Sequence, residues 1–198
     1  TDALLKNEFD KIRGSNNSHP IWEKFNLNVS AYHHDNIEDW RNNFRGIRVL
    51  HQKTNLEIFG AVDDIWQNRE NGKLHIVDYK STSKKGEPTI EGGGFGDGYK
   101  RQMEIYQWLF STSGFDTSNI GYFLYVNGQK SNGFYFEDCE GRMIFDTTMI
   151  AYEGTSDWVE KSLVDAKDCL HSEALPKSAD DCDNCRYFLQ RADIENEF

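Results

Sequence analysis

The sequence predicts an α/β (α+β) fold in which helices flank a central mixed sheet. Three strand candidates follow one another before the first long helix candidate, and more strands and an amphipathic helix come after it. Consecutive strands suit a mixed sheet, because a doubly wound parallel sheet alternates strands with helices. We therefore expect one domain over residues 1–198, with an N-terminal helical region over 1–44 and a cysteine-bearing tail over 176–198.

The elements follow from apolar spacing and turn residues. Residues 1–13 carry apolar side chains every three or four positions, which predicts a helix ending at Gly14. Residues 36–44 predict one or two helical turns, and Asn71–Gly72 predicts a turn between two strands. The remaining predictions are strands over 47–52, 56–66, 73–81, 120–126, 133–137 and 142–145, a Gly-rich loop over 86–98, and helices over 99–110 and 157–170.

Composition narrows the class of protein. Aromatic residues make up 14% of the chain, which is too many for a disordered protein, and the net charge of −11 argues against a broad nucleic-acid surface. No apolar run is long enough to span a membrane, and no signal-peptide pattern opens the chain. Four irregularly spaced cysteines are not a disulfide framework, so we expect a reducing, cytoplasmic (intracellular) setting.

The clearest chemical pattern lies in the strand over 73–81. Side chains alternate along a strand, so Asp78 and Lys80 share one face. An isolated pair of this kind is more often a structural ion pair. The preceding strand also ends in carboxylates, Asp63 and Asp64, and either one falls at the end of an apolar face. Because a turn joins the two strands, they can pair as a hairpin that brings Asp63 near Asp78.

Two close carboxylates repel each other, and a divalent cation relieves that repulsion. A site with few protein oxygen ligands suits Mg²⁺ or Mn²⁺, because these ions retain several bound water molecules and also bind the substrate phosphate. A lysine beside such an ion orients or deprotonates the attacking water, or stabilises developing negative charge. Asp63, Asp78 and Lys80 are therefore the candidate catalytic residues.

In their order along the chain, these residues resemble a known pattern. Gly60–Asp63 reads G-x-x-D, Asp78–Lys80 reads D-Y-K, and Gln102–Tyr106 reads Q-x-x-x-Y. Together they resemble the RecB-like branch of the PD-(D/E)XK nuclease superfamily over roughly residues 45–126. The resemblance implies a restriction-endonuclease-like core and metal-dependent hydrolysis of DNA phosphodiester bonds.

The resemblance also assigns roles to individual residues. It makes Asp63, Asp78 and the backbone carbonyl of Tyr79 ligands of Mg or Mn, and Lys80 the residue that acts on the water. Gln102 and Tyr106 lie four residues apart on a helix and would position the substrate strand. Family members often add a metal ligand from the first helical region. His19 is the candidate here and Glu8 is the alternative, while the other histidines considered are His33, His34 and His51.

The C-terminal cysteines resemble part of an iron–sulfur site in RecB-like nucleases that include CRISPR-adaptation members. The match is incomplete, because those proteins place one cysteine near the N-terminus and this chain has none before Cys139. Cys169, Cys182 and Cys185 are therefore candidate ligands of an iron–sulfur cluster or zinc, with Cys139 as a further one, and a vacant or degenerate site is the alternative.

The expected partner is DNA, which must approach an acidic protein through a local basic groove. The candidates near the Gly-rich loop are Lys80, Lys84, Lys85, Lys100 and Arg101, with Phe95 and Tyr99 available for base stacking. Two other functions stay open at this point. One is a catalytically inactive module that binds nucleic acid or a protein partner, and the other is a protein with a purely structural cysteine-bound metal.

Overall fold

The structure is a computed structural model that describes residues 1–131, 133–135 and 139–196. Six helices and seven strands make up its regular elements within that range. In chain order they are α1 (Asp2–Asp10), α2 (Pro20–Lys24), β1 (Val29–Ala31), α3 (Ile37–Trp40), β2 (Ile47–His51), β3 (Leu56–Gly60), β4 (Asp64–Asn68), β5 (Leu74–Thr82), α4 (Phe95–Thr112), β6 (Ile120–Gly128), β7 (Phe145–Glu153), α5 (Asp157–His171) and α6 (Asp183–Asn196).

Five strands form the main sheet in the order β1–β4–β5–β6–β7. β5 and β6 run parallel, and each other neighbouring pair is antiparallel. The parallel pair is joined through α4, as a crossover connection requires. The predicted mixed sheet with flanking helices is confirmed.

Helices cover both faces of this sheet, and each face has its own apolar core. Ile76 of β5 packs in the core that includes Leu109 and Phe110 of α4. The next residue, Val77, packs on the opposite face with Phe9 of α1 and Trp22 of α2. This alternation is the period of two that a strand buried on both faces requires.

The predicted strand over 56–66 is wrong as a single element. β3 pairs with β2 in a separate two-stranded ribbon, whereas β4 pairs with β5 in the main sheet. Residues 61–63 connect β3 to β4, and the backbone N–H of Val62 donates to the carbonyl of Trp40 at 3.0 Å. The apolar pattern runs through this break because Val62 is buried in the core although it is not in a strand.

Two other boundaries differ from the sequence predictions. α4 begins at Phe95, so the predicted Gly-rich loop over 86–98 ends in the first turn of a helix. The last sheet strand covers Phe145–Glu153 rather than 142–145, because its residues are only partly buried and show no regular apolar alternation. The predicted strand over 133–137 lies partly outside the described residues. No helix of the described chain is long and apolar enough to cross a membrane.

Candidate active site

The hairpin of β4 and β5 brings the predicted acids together. Asp64 of β4 is registered with Val77 of β5, so Asp63, just before β4, lies opposite Asp78. A carboxylate oxygen of Asp63 accepts a hydrogen bond from the backbone N–H of Tyr79 at 2.8 Å. The Nζ of Lys80 lies 2.5 Å from Oδ2 of Asp78. Asp63, Asp78 and Lys80 therefore form one cluster, the acid–lysine cluster, at the open end of the hairpin, away from its turn.

The pKa of each acid rises because the site is buried. Burial raises the pKa of Asp78 to about 6; the nearby Asp63 adds to this rise, while the positive charge of Lys80 opposes it. Burial also raises the pKa of Asp63, and the hydrogen bond from Tyr79 opposes that rise. Two carboxylates in one buried place favour a proton or a cation between them.

The donor set fits a hard divalent cation. Oδ2 of Asp78 is buried and contacts the Lys80 ammonium, and Asp63 beside it gives the site a second carboxylate. Among the described residues, no group of three or more His, Cys, Asp or Glu side chains could hold a metal ion. Mg²⁺ is commonly bound through only one or two carboxylates with waters and substrate phosphates, so the two acids suffice.

The helix α4 supplies the next layer of polar groups. Oε1 of Gln102 lies 3.5 Å from Nζ of Lys80, and the amide nitrogen of Gln102 donates to the hydroxyl of Tyr106 at 2.9 Å. The ring of Tyr99 lies under the Lys80 ammonium, 4.2 Å away. The structure thus joins the D-Y-K and Q-x-x-x-Y motifs through Lys80.

Gly60, the first residue of the G-x-x-D motif, is explained by Tyr106. A Cβ atom at Gly60 would lie 2.5 Å from Cε1 of Tyr106, closer than van der Waals contact permits. Any larger residue would push the Tyr106 ring away from the strand. The glycine therefore allows α4 to bring Tyr106 and Gln102 up to Lys80.

Sequence reasoning missed the contribution of α1. Lys6 lies 3.0 Å from the carboxylate of Asp2 and 3.4 Å from that of Asp63. The negative charge of Asp2 also raises the pKa of Asp63 and of Asp78. The two candidate metal ligands thus each have a lysine ammonium beside them, Lys6 for Asp63 and Lys80 for Asp78. No local motif in residues 1–10 indicated this, since it depends on docking of α1 on β5.

Asp64 has a different role from its neighbour. It is fully buried, and one of its oxygens accepts from Arg13 at 2.8 Å, from Arg41 at 2.9 Å and from the backbone N–H of Ile65 at 2.8 Å. The other oxygen accepts from the hydroxyl of Tyr79 at 2.6 Å. A buried carboxylate at this position was predicted to be paired, and Asp64 is the paired one. Asp63 is the acid that faces Asp78 and Lys80.

The structure gives His19 partners other than the two acids. Its Nδ1 accepts from the N–H of Ile21 at the start of α2, and its Nε2 lies 3.5 Å from Glu8. The other histidines considered also have local contacts. His33 lies against Gly14, His34 stacks on Trp40, and His51 bonds Thr54 and Glu160.

The cysteines are not gathered into one site. All four are free thiols, and the backbone N–H of Cys185 donates to the sulfur of Cys182 at 3.4 Å. Cys139 and Cys169 are exposed, and no metal-holding group of three forms within the described part of the chain. The structure therefore does not bring Cys169 together with Cys182 and Cys185.

The predicted basic groove is divided. Lys80 is held by Asp78, and Lys100 forms an ion pair with Glu91 at 2.9 Å. Lys84 and Lys85 instead line a separate cleft beyond the end of β5. Phe95 is highly exposed at the start of α4.

Comparison with known proteins agrees with this geometry. The family model of the PD-(D/E)XK nuclease superfamily matches residues 1–188, which extends well beyond the segment that carries the motifs. No curated protein matches the chain, and no solved structure does. The match includes Asp63, Asp78 and Lys80 together with the helices α1 and α4. The chain belongs to the PD-(D/E)XK nuclease superfamily.

Proposed function

We propose that this protein is a RecB-like, Mg²⁺- or Mn²⁺-dependent nuclease that hydrolyses DNA phosphodiester bonds. The observation that carries the proposal is the cluster of Asp63, Asp78 and Lys80, in which burial raises the pKa of both carboxyls and the Lys80 ammonium contacts Asp78. Membership of a nuclease superfamily supports hydrolysis of nucleic acid. The ordered G-x-x-D, D-Y-K and Q-x-x-x-Y motifs support the RecB-like branch and DNA as the substrate.

The ligands of the ion would be the carboxylates of Asp63 and Asp78 and the backbone carbonyl of Tyr79, with His19 as a further predicted ligand. A bound divalent ion would polarise the phosphate, and it would lower the pKa of a water molecule bound to it, which makes a nucleophile available at neutral pH. Asp63 is held for this task by the N–H of Tyr79. For His19 to join, its Nε2 would have to leave the neighbourhood of Glu8.

Lys80 has two partners that fix where its ammonium can act. Asp78 contacts it on one side and the Tyr99 ring lies beneath it. In this position the ammonium orients the attacking water and stabilises the negative charge that develops on the phosphate. Gln102 and Tyr106 extend the polar surface along α4, and there they position the substrate strand.

The test is cleavage of single- and double-stranded DNA, linear and circular, with Mg²⁺ or Mn²⁺. We expect Asp63→Asn, Asp78→Asn and Lys80→Met each to lower the rate by about 100-fold or more. Matched controls are Glu70→Gln and Lys73→Met, since both residues lie at the other end of the same hairpin and are exposed. Wild-type rates in all three site variants would exclude this mechanism.

Metal binding separates the nuclease from the inactive module. Calorimetry with Mn²⁺ should show binding by wild-type protein and by Glu70→Gln, and loss of that binding in Asp63→Asn. Protein that binds DNA but neither binds Mn²⁺ nor cleaves DNA would instead be the catalytically inactive module. Iron and zinc analysis tests the cysteine-bound metal independently of both.

A further inference from the structure

A lysine-lined cleft lies where β5 and β6 end. It has a volume of about 1070 Å³. Four lysines line it, Lys24, Lys84, Lys85 and Lys130, against two acids, Glu87 and Asp146. The local charge is therefore positive in a chain whose net charge is −11.

Three of these lysines have no acidic partner in the part of the chain that the structure describes. Within the described residues, no ion pair joins Lys84, Lys85 or Lys130 to a carboxylate, and all three are exposed. The carboxylate of Asp146 accepts instead from the side-chain amide of Gln129 at 2.8 Å. The fourth lysine, Lys24, is held by the carbonyl and hydroxyl of Thr147. The positive charge of the cleft is thus available to an anion from outside the chain.

Residues 83–86, which include Lys84 and Lys85, are held against the sheet by hydrogen bonds. The side chain of Asn127, in β6, accepts from the N–H of Lys84 at 3.0 Å. It also donates to the carbonyls of Lys84 at 3.1 Å and Gly86 at 3.3 Å. Ser83 adds a hydrogen bond from its hydroxyl to the carbonyl of Gly128 at 2.7 Å. The backbone that carries Lys84 and Lys85 is therefore fixed to β6 next to the end of β5.

The lining of the cleft favours a polymer over a small ligand. Small-molecule sites are usually mainly apolar, whereas most of the residues that line this cleft are polar or charged. Ser83 lies three residues beyond Lys80 on the same strand direction, which is roughly 10 Å at about 3.3 Å per residue. At about 3.4 Å per nucleotide along a duplex, that corresponds to about three nucleotides.

We propose that this cleft binds the phosphodiester backbone of the DNA substrate, about three nucleotides from the bond at the acid–lysine cluster. The inference rests on the proposed nuclease function for the identity of the strand. Lys84, Lys85 and Lys130 supply the charge, and Asn127 holds the backbone of Lys84 and Gly86, on either side of Lys85. The cleft thereby offsets the repulsion that an acidic protein exerts on DNA.

The experiment measures binding of a fluorescent 20-nucleotide DNA in EDTA, where a metal-dependent nuclease does not cleave. One variant is Lys84→Gln/Lys85→Gln/Lys130→Gln. Its control is Lys53→Gln/Lys73→Gln/Lys167→Gln, which changes the net charge equally but lies outside the cleft. Melting temperatures of both variants check that they fold.

We expect the cleft variant to weaken binding about tenfold or more at 100 mM salt, and the control less than about threefold. The slope of log Kd against log salt should also become shallower by about two to three in the cleft variant alone. Equal effects in the two variants, or no binding by wild-type protein, would overturn the proposal. Competition by polyglutamate as strong as that by unlabelled DNA would also overturn it, because it would assign the cleft to acidic proteins.

These outcomes are independent of catalysis. A protein that cleaves DNA while the two triple variants bind it equally retains the nuclease function and loses the cleft. A protein that binds through the cleft but does not cleave with any metal loses the nuclease function and retains the cleft.

Discussion

Asp63 and Asp64 are adjacent in the chain, yet their surroundings differ in every respect that matters for function. Asp64 is fully buried and accepts from two arginines, a tyrosine and a backbone N–H. The Asp63 side chain is 26% exposed and accepts one backbone hydrogen bond, with a lysine at 3.4 Å. A buried carboxylate whose hydrogen bonds are complete stabilises the fold, whereas one left incomplete beside a second acid is suited to bind a cation.

The largest effect that sharpens this comparison is on stability. Asp64→Ala should lower the free energy of unfolding by about 3–5 kcal/mol, because it removes the fully buried one of the two carboxylates that Arg13 and Arg41 share. Asp63→Ala should change it by less than about 1 kcal/mol. Urea denaturation of both variants in EDTA measures the difference.

Asp10 limits this effect, because it also contacts both arginines and is partly exposed. If Asp64→Ala does not fold, Asp64→Asn offers a milder version, since it removes the charge but keeps the volume. Equal stability losses in the Asp63 and Asp64 variants would contradict the division of roles.

The next effect concerns pH and the metal-free protein. The pKa of Asp78 is raised to about 6 in the folded chain from an ordinary value of 3.8, so the folded state binds this proton more tightly than the unfolded state. The resulting contribution to stability is present below about pH 4 and is lost as the pH rises through 6, by about 3 kcal/mol in total.

Asp78→Asn removes this dependence, because asparagine does not titrate. The stability of wild-type protein minus that of Asp78→Asn should therefore fall by about 3 kcal/mol between about pH 4 and pH 8 in EDTA. Asp116→Asn, a change at an exposed acid, is the control for loss of one carboxylate. A parallel curve for Asp78→Asn would show that this carboxyl is not perturbed.

The smallest predicted effect distinguishes the role of the Tyr79 backbone carbonyl from the role of its side-chain hydroxyl. Tyr79→Phe removes the hydroxyl that donates to Asp64, and should cost about 1–2 kcal/mol of stability. The proposed metal ligand is the backbone carbonyl, so cleavage per folded molecule should stay within about twofold of wild type. Tyr125→Phe is a control for stability, since this buried tyrosine has no hydroxyl hydrogen bond in the described chain. A large loss of cleavage in Tyr79→Phe at full stability would contradict this division.

Much of the site was predictable because it is local in sequence. The shared face of Asp78 and Lys80 follows from strand alternation, and the approach of Asp63 follows from a hairpin with a short turn. Strand alternation did not decide between Asp63 and Asp64, and Asp63 was favoured through the G-x-x-D resemblance. The physical basis of the choice was not predictable. It depends on Arg13 and Arg41, which lie 51 and 23 residues away in the chain and reach Asp64 only through packing of helices.

The errors in the fold have a related cause. Apolar periodicity reports burial and not pairing, so the pattern over 56–66 does not show that the chain leaves one sheet and enters another at Val62. β7 lacks a strong pattern because an edge strand is only partly covered. The roles of Lys6 and Gly60 likewise depend on contacts with elements far along the chain.

The bond between Arg13 and Asp64 also has a consequence for the order of assembly. A folding intermediate containing only the β4–β5 hairpin would have Asp78 and Lys80 side by side. It would lack the helix that brings Lys6 to Asp63, because that helix docks only when a loop of about fifty residues closes. Lys80 therefore reaches its acid through strand alternation alone, whereas Lys6 reaches Asp63 only in a chain in which this loop has closed.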